Sequence, residues 1–339
     1  MFEGLASMSP PSPLRVLVVT SEWPTAAEPD SGIAIARQVE HLRQVDLDVE
    51  VFNFRGGGNP LRYLRAIKQF RRVYRSKVFD LVHVQHGQSG LIVAGLSTCP
   101  VIVTFRGSDL QGLSGTTGRY SPVGYLLPRV SRVVARFANE VILVSEHMAR
   151  YIPERSYHVI PAGLDLGLFT PIPQSEAREQ CGLPQDRRLA LFVGNPQNPI
   201  KRFDLARRAV ALVDGTRELE VVVCSGVRHE QVPLYLNACD VLLVTSLHEG
   251  SPSSVKEALA CNLPVVSTDV GDVRERLAGI EGCIVLEDDR PETVAKGLES
   301  VLRASHRIEG RATVMDLDER LLAQRVIDVY RRALSNHRS

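Results

Sequence analysis

Short runs of aliphatic and β-branched residues alternate with longer stretches of helical period along the whole chain. The runs lie at residues 14–20, 48–54, 80–85, 100–105 and 140–145 in the first half, and at 189–194, 219–226, 240–246, 264–269 and 283–288 in the second. Continuous apolar runs of this length indicate strands that are buried on both faces of a parallel sheet. The pattern therefore predicts an α/β fold in which helices cover both faces of doubly wound sheets.

A break in this alternation divides the chain in two. Residues 160–173 contain three prolines and two glycines and have no helical period, which is typical of a linker. We therefore predict two Rossmann-like domains. The predicted divisions are a disordered lead-in at 1–13, a first domain at 14–162, the linker at 163–175, a second domain at 176–315 and a terminal helix at 316–339. The pattern leaves open whether that helix packs on its own domain or crosses back to the first.

The composition changes this picture little. The chain has 339 residues, 44% of them hydrophobic, and a net charge of +1, which does not indicate a nucleic-acid partner. The six cysteines form neither a CxxC pair nor a zinc-binding spacing with histidine, so we expect reduced thiols, no metal site and a cytoplasmic protein. The first thirteen residues lack the cationic and apolar regions of a signal peptide.

The stretch "TSLHEGSPSSVKEAL" at 245–259 carries the strongest candidate chemistry. Glu249 follows a predicted strand, and a helix is predicted to begin at Ser251 as N-cap with Pro252 in its first position. The first amides of such a helix lack intrahelical acceptors and favour an anion, while Glu257 lies about one turn further on. Two carboxylates for hydroxyls beside amides for phosphate suit a nucleotide sugar. Alternatively, Lys256 and Glu257 are ordinary solvated helix residues, and Glu249 is an ordinary loop charge.

The longer run "HEGSPSSVKEALACNLPVVSTDVGDVRE" (248–275) resembles the E-x7-E signature of retaining GT-B glycosyltransferases of the GT4 family. The resemblance implies two Rossmann-like domains that face each other across a cleft, the first on the acceptor side and the second binding the nucleotide sugar. It also implies metal-independent transfer, without a cofactor, of a hexose-type sugar from a UDP-, GDP- or other nucleoside diphosphate donor. The acceptor would be a glycan or a lipid-linked acceptor in cell-surface polysaccharide biosynthesis.

Carried over by position, the resemblance gives each carboxylate of the signature its own role. Glu249 would contact hydroxyls of the transferred sugar, and Glu257 would bind the ribose. Amides at 253–254 and the cation of Lys201 would approach the diphosphate. The implied donor-binding residues are Gly32, Gly194, Asn195, Lys201, Arg202, Gly250, Ser251, Pro252, Ser253, Ser254, Val255 and Glu257. The implied catalytic residues are Glu249, Lys201, Arg106 and Asp109.

Three positions depart from the family pattern. Asn195 stands where an arginine is usual, and Arg202 stands where a glycine is usual. Arg106 replaces the histidine of T-x-H-G-x-D, and a guanidinium cannot act as a general base. Arg106 either binds an anionic group of a substrate or forms a salt bridge with Asp109 in its own loop. At the start of the chain, Gly32 is kept from a pair of glycines that are usual in the family.

Two further segments suggest how an acceptor is reached. The glycine- and serine-rich stretch within 104–118 resembles a mobile acceptor loop. The basic amphipathic segment 61–77 either lies on anionic lipid at the inner face of the cytoplasmic membrane or is a core-packed helix with a solvated basic face. Arg129, Arg132 and Arg136 extend that basic surface. The rival functions are a sugar-nucleotide epimerase on the same scaffold and a catalytically weak nucleotide-sugar-binding subunit.

Overall fold

A computed structural model describes residues 13–26, 28, 31–45, 47–56, 60–112, 122–213, 219–304 and 306–338. The predicted lead-in, apart from Pro13, and the predicted mobile loop beyond Gly112 lie outside these residues. In the part of the chain described, the strands gather into two separate parallel sheets with helices on both faces. The predicted fold class is therefore confirmed.

The first sheet contains six parallel strands in the order β2-β1-β3-β4-β5-β6. The strands are β1 (Arg15–Thr20), β2 (Asp48–Asn53), β3 (Leu81–Gln85), β4 (Val101–Phe105), β5 (Glu140–Leu143) and β6 (His158–Val159). The helices are α1 (Ile33–Arg43), α2 (Pro60–Ser76), α3 (Gly90–Val93), α4 (Ser108–Gln111) and α5 (Pro122–Phe137). The short β6 has no apolar run in the sequence, and it was not predicted.

Two hydrophobic layers cover this sheet. On one face, α2, α3 and α5 bury side chains such as Phe70, Ile92 and Val134 against alternate strand residues. On the other face, α1 packs beside a helix that comes from the far end of the chain. For the basic segment 61–77, the alternative of a core-packed helix whose outer face is only basic is partly wrong. Leu61 and Leu64 are 61% and 62% exposed, so α2 presents leucines as well as arginines on its outer surface.

The second sheet repeats the plan with five parallel strands in the order β11-β10-β9-β7-β8. The strands are β7 (Arg188–Val193), β8 (Leu219–Cys224), β9 (Val241–Val244), β10 (Val265–Ser267) and β11 (Ile284–Val285). The helices are α6 (Gln174–Cys181), α7 (Phe203–Val210), α8 (Val232–Ala238), α9 (Ser253–Ala260), α10 (Val273–Leu277), α11 (Pro291–Ala304) and α12 (Glu319–Arg338). Read from the other edge, the strand order is that of the first five strands of sheet one.

The terminal helix α12 packs on the first sheet. Its Val326 and Tyr330 are fully buried among residues of β1 and α1. The Tyr330 hydroxyl lies 2.7 Å from Nδ1 of His83 in β3, and Nε2 of that histidine lies 2.7 Å from the Thr104 hydroxyl. Burial lowers the pKa of His83 to about 3, so the imidazole is neutral and the network is made without a buried charge.

Candidate functional site

A cavity of about 570 Å³ opens at the carboxyl ends of the second sheet. The chain leaves β7 for β8 on one side and reaches β9 on the other, and ligands of open α/β sheets bind at such a switch point. The predicted residues that line the cavity are Gly194, Asn195, Lys201, Glu249, Ser251, Pro252, Ser253, Ser254 and Glu257. From the first domain, Ile33 at the start of α1 reaches the same cavity.

The helix α9 points its first turn at this cavity, but it begins one residue later than predicted. Pro252 is the N-cap, with extended backbone, and no side chain caps the helix. The Ser251 hydroxyl instead donates to Asp272 Oδ2 at 2.9 Å, so its predicted capping role is wrong. Among the described residues, no acceptor is bonded to the amides of Ser253 and Ser254. The Val255 amide, predicted to be open, donates to the Pro252 carbonyl at 3.2 Å.

Glu257 and its neighbour Lys256 are both buried. Glu257 is 8% exposed and Lys256 is 1% exposed, so neither is the solvated helix residue of the alternative interpretation. Burial raises the pKa of Glu257 to about 7, against the opposing pull of nearby cations. Burial also lowers the pKa of Lys256 to about 8, and its ammonium donates to the Ala162 carbonyl at 3.2 Å. The Glu257 side chain at the cavity is therefore about half protonated near pH 7.

Lys201 and Glu249, which both line the cavity, form an ion pair. Lys201 Nζ lies 2.7 Å from Glu249 Oε1, and the Ser246 hydroxyl donates to the same oxygen at 2.8 Å. Gly194, which follows β7 with φ of 128°, packs on the lysine stem: a Cβ added there would lie 3.4 Å from Lys201 Cε. The structure thus brings together the predicted phosphate-binding cation, Lys201, and the predicted hydroxyl-binding carboxylate, Glu249.

The two departures near Lys201 have different surroundings. Asn195 lines the cavity, and its side-chain oxygen accepts from the Gln197 amide at 2.9 Å in a local turn. Arg202 lies outside the lining. Its Nε donates to the Thr245 carbonyl at 2.7 Å, and its guanidinium also contacts Asp289. Because these partners occupy the guanidinium, the structure does not support a donor-binding role for Arg202.

In the first domain, the Arg106–Asp109 loop is organised differently from the sequence prediction. Asp109 is fully buried, and its carboxylate accepts from the backbone amides of Arg106, Gly107 and Gly87 at 2.9 to 3.2 Å. The Arg106 guanidinium donates to Gln85 Oε1 at 2.8 and 3.0 Å, so the alternative of a salt bridge with Asp109 is wrong. Burial lowers the Arg106 pKa to about 10, which leaves it cationic. Both residues hold the loop, so a catalytic role for Asp109 is not supported.

The loop that contains Arg106 and Asp109 contacts the second domain. A Cβ added to Gly250 would lie 2.1 Å from the Arg106 carbonyl oxygen. The Ser145 hydroxyl donates to the Gly250 carbonyl at 2.9 Å, and Gln111 Nε2 donates to the Glu249 carbonyl at 2.9 Å. Gly250 is thus a site of close backbone approach between domains rather than a cavity residue, and it positions Glu249.

Gly32 also serves close approach rather than lining the cavity. It precedes α1 with φ of 68°, and an added Cβ would lie 2.5 Å from the Glu22 carbonyl oxygen.

The sequence analysis did not single out His86, a first-domain residue that follows β3 with φ of 71°. Its Nδ1 is buried and has no partner among the described residues. Its Nε2 lies 3.6 Å from a Glu22 carboxylate oxygen. The signal was a polar side chain directly after a buried strand.

Arg37 and His229 were missed as well. Arg37 is on α1, and its Nη1 lies 2.5 Å from Nε2 of His229, which lines the cavity. The two residues are far apart in sequence, and no local motif connects them.

Within the described ranges, no group of three or more His, Cys, Asp or Glu side chains is arranged to hold a metal ion. In the same residues, no helix is both long and apolar enough to cross a membrane.

Two doubly wound domains, with a lysine, two glutamates and open helix amides at a cavity beside the second sheet, have the architecture of the GT-B fold. Sucrose-phosphate synthase from Thermosynechococcus elongatus superposes with a TM-score of 0.79 at 18% identity, covering 95% of this chain and 100% of that chain. HepE from Anabaena, in a complex with UDP-glucose, superposes with a TM-score of 0.69 at 16% identity, covering 94% and 100%. At these identities the likeness shows the fold.

Sequence similarity adds the family. Residues 6–163 match the family "Glycosyl transferase 4-like domain", and residues 191–304 match "Glycosyl transferases group 1". The D-inositol 3-phosphate glycosyltransferase of Streptosporangium roseum is 30% identical over 374 residues, covering 93% of this chain and 82% of that protein. TuaC of Bacillus subtilis, a glycosyltransferase assigned to teichuronic acid biosynthesis, is 25% identical over 369 residues, covering 89% and 92%. The chain belongs to the GT4 family of glycosyltransferases, as the sequence predicted.

Proposed function

We propose that the protein transfers a hexose-type sugar, with retention of anomeric configuration, from a nucleoside diphosphate sugar to a glycan or lipid-linked acceptor in cell-surface polysaccharide biosynthesis. The observation that carries this proposal is the single cavity shared by Lys201, Glu249, Glu257 and the first amides of α9. The named functions of TuaC and the UDP-glucose complex of HepE support the same choice.

The donor would lie along this cavity with its diphosphate at the start of α9. The amides of Ser253 and Ser254 and the Lys201 ammonium would stabilise the charge that develops on the leaving diphosphate, without a metal ion. Glu257, as a carboxylate, would accept from the ribose hydroxyls. Glu249 would exchange its bond with Lys201 for bonds to sugar hydroxyls, so donor binding would open the ion pair.

Retention would follow if the acceptor attacks from the side of the leaving group. The leaving phosphate oxygen would then take the acceptor proton, and no enzymic nucleophile would be needed. The role of the protein would be to hold the reacting atoms together and exclude water. The contact of the loop after β9 with the Arg106–Asp109 loop would fix the sugar end of the cavity against the acceptor domain.

A calorimetric panel of UDP-, GDP-, ADP- and dTDP-sugars tests the donor class. We expect one of them to bind, and the matching nucleoside diphosphate to lose affinity in Glu257→Ala. Glu249→Ala is the matched variant, since it removes a carboxylate from the same cavity but should leave the affinity for free nucleoside diphosphate within about threefold while stopping transfer. Equal losses in both variants would contradict the assigned roles. Turnover without an acceptor would indicate an epimerase, and binding without turnover a binding subunit.

We also propose that the protein contacts the inner face of the cytoplasmic membrane through the outer surface of α2, α3 and α5. These helices carry nine basic residues, six in α2 and three in α5, and no acidic residue, whereas the whole chain has a net charge of +1. Exposed apolar side chains lie among them. They are Leu61, Leu64, Leu91, Leu126, Val133 and Phe137. Arginines beside exposed leucines and aromatics fit an anionic lipid surface.

Sedimentation with vesicles tests this surface. Vesicles rich in anionic lipid should carry the protein down, neutral vesicles should not, and the double change Leu61→Ser with Leu64→Ser should weaken binding roughly tenfold. Leu321→Ser, which alters an exposed leucine of α12 on the other face of the sheet, is the matched control. Equal binding by all variants, or to neutral vesicles, would contradict the proposal.

A further inference from the structure

Arg37 connects the first domain to His229, a residue that lines the donor cavity. It projects from α1 and contacts three separate parts of the chain. Its Nε lies 2.8 Å from Glu319 Oε1 at the start of α12, and its Nη1 lies 2.5 Å from His229 Nε2. Its Nη2 lies 3.7 Å from Asp165 Oδ2 in the linker. The guanidinium therefore sits where α1, α12, the linker and the second domain meet.

The donor cavity lies on the same side of α1 as this guanidinium. Ile33, one helical turn before Arg37, lines the cavity, and residues four apart share a face of a helix. His229 lines the cavity from the second domain and also packs edge-on against Phe169. The positive charge of Arg37 is close enough to Glu257 to oppose the rise of its pKa. A ligand held by Glu257 would thus lie within reach of the Arg37 charge.

One nitrogen of this guanidinium lacks a hydrogen-bond acceptor. Arg37 Nη2 is buried and has no hydrogen-bond partner among the described residues, because the Asp165 carboxylate stays at ion-pair distance. A buried donor without an acceptor is costly, and more so when it is charged. Contacts with Glu319 and His229 hold the other two nitrogens, so the position of the third nitrogen, Nη2, is fixed as well.

We propose that Arg37 is a donor-binding residue whose free Nη2 donates to an oxygen of the bound nucleoside diphosphate. The first domain would in this way supply a cation at a site that has Asn195 in place of an arginine. The inference rests on the proposed function and extends it. Donor binding would then involve both domains, because a ligand held by α9 and Lys201 would also be bonded to Arg37 of α1.

The test is the affinity of Arg37→Met for the nucleoside diphosphate that wild type binds among UDP, GDP, ADP and dTDP. A hydrogen bond to a charged group corresponds to roughly tenfold in affinity, so we expect a loss of about tenfold or more. Arg43→Met is the matched control on the same helix. Arg43 donates to the Val49 carbonyl at 2.8 and 3.1 Å, away from the cavity, and its loss should leave the affinity unchanged.

Salt dependence separates binding from a merely structural role. If Arg37 contacts the ligand anion, affinity should fall less steeply with salt in Arg37→Met than in wild type. Arg37→Lys keeps the charge and should retain affinity within about threefold, which keeps the test decisive should the methionine variant fold poorly. Equal affinities and salt slopes in wild type and Arg37→Met would overturn this inference alone. If wild type binds none of the four nucleotides, the proposed function fails and this inference falls with it.

Discussion

The two sheets have the same strand order over five strands, yet their carboxyl edges are used in opposite ways. At the second edge, Lys201, Glu249 and Glu257 direct polar groups into a cavity. At the first edge, the Asp109 carboxylate accepts from amides of its own loop, and the Arg106 guanidinium donates to Gln85 of the neighbouring strand. Equal topology therefore does not give equal chemistry: one edge directs polar groups into a cavity, and the other packs its loop against the first.

The contact between the edges connects these two uses. The backbone around Gly107 approaches Gly250 so closely that a side chain on either glycine would collide. Glu249, the residue before Gly250, is thereby placed by the first domain although it belongs to the second. We therefore expect the loop that carries Arg106 to affect transfer by positioning Glu249, and variants at the two edges separate positioning from direct contact.

The largest effect is expected for Glu249→Gln. The amide keeps the size of the side chain but loses the charge that binds Lys201 and would bind the sugar hydroxyls. We expect kcat to fall by about 10² to 10³, while the unfolding free energy changes little because the ion pair is partly exposed. Steady-state kinetics and urea unfolding measure the two quantities. A kcat within threefold of wild type would remove Glu249 from the proposed mechanism.

Asp109→Ala should act on stability instead. Three backbone amides lose a buried charged acceptor, and we expect a loss of about 3 kcal/mol in unfolding free energy. Asp318→Ala removes an acceptor of the Arg320 amide in an exposed bond and is the matched control, with about 1 kcal/mol expected. Similar losses in both variants would contradict the structural role of Asp109.

Gly250→Ala should loosen the contact between the edges. The added Cβ would meet the Arg106 carbonyl oxygen, so the loops must separate, at a cost of about 2 kcal/mol. Gly95→Ala is the control, because Gly95 has φ of 67° but open space around an added Cβ and isolates backbone strain of about 1 kcal/mol. A smaller loss in Gly250→Ala than in Gly95→Ala would argue against close packing of the two edges.

The last expected effect is the pH dependence of stability that Glu257 confers. Its pKa is raised from 4.5 to about 7 in the folded protein, so between these values the folded state holds more protons than the unfolded state. The unfolding free energy should therefore fall as pH rises through this window, by at most about 1.4 kcal/mol per unit. Glu257→Gln should lack this decline. Urea unfolding at about pH 5 and pH 7 compares the two proteins, and parallel pH profiles would contradict the raised pKa.

A feature of the fold or of the site was predictable when the residues that determine it lie close together in the sequence. The strands were predictable because burial on both faces makes a local apolar run, and the residues of the E-x7-E signature follow strand ends within one short segment. Arg37 and His229 meet across 192 positions, so no local pattern reveals their contact. The orientation of Arg106 depends on Gln85 in a neighbouring strand. Leu61 and Leu64 have the periodicity of a core stripe, but the phase of α2 on the sheet exposes them.

The central claim is that the donor diphosphate binds at the second edge, on the open amides that begin α9. Amide hydrogen exchange, followed by mass spectrometry with and without the nucleoside diphosphate that binds, tests it most directly. We predict slower exchange in peptides that contain Ser253 and Ser254, and unchanged exchange in the loop that contains Arg106 and Asp109. Protection confined to the first-domain loop, or unchanged exchange at the start of α9 with saturating nucleotide, would contradict the account.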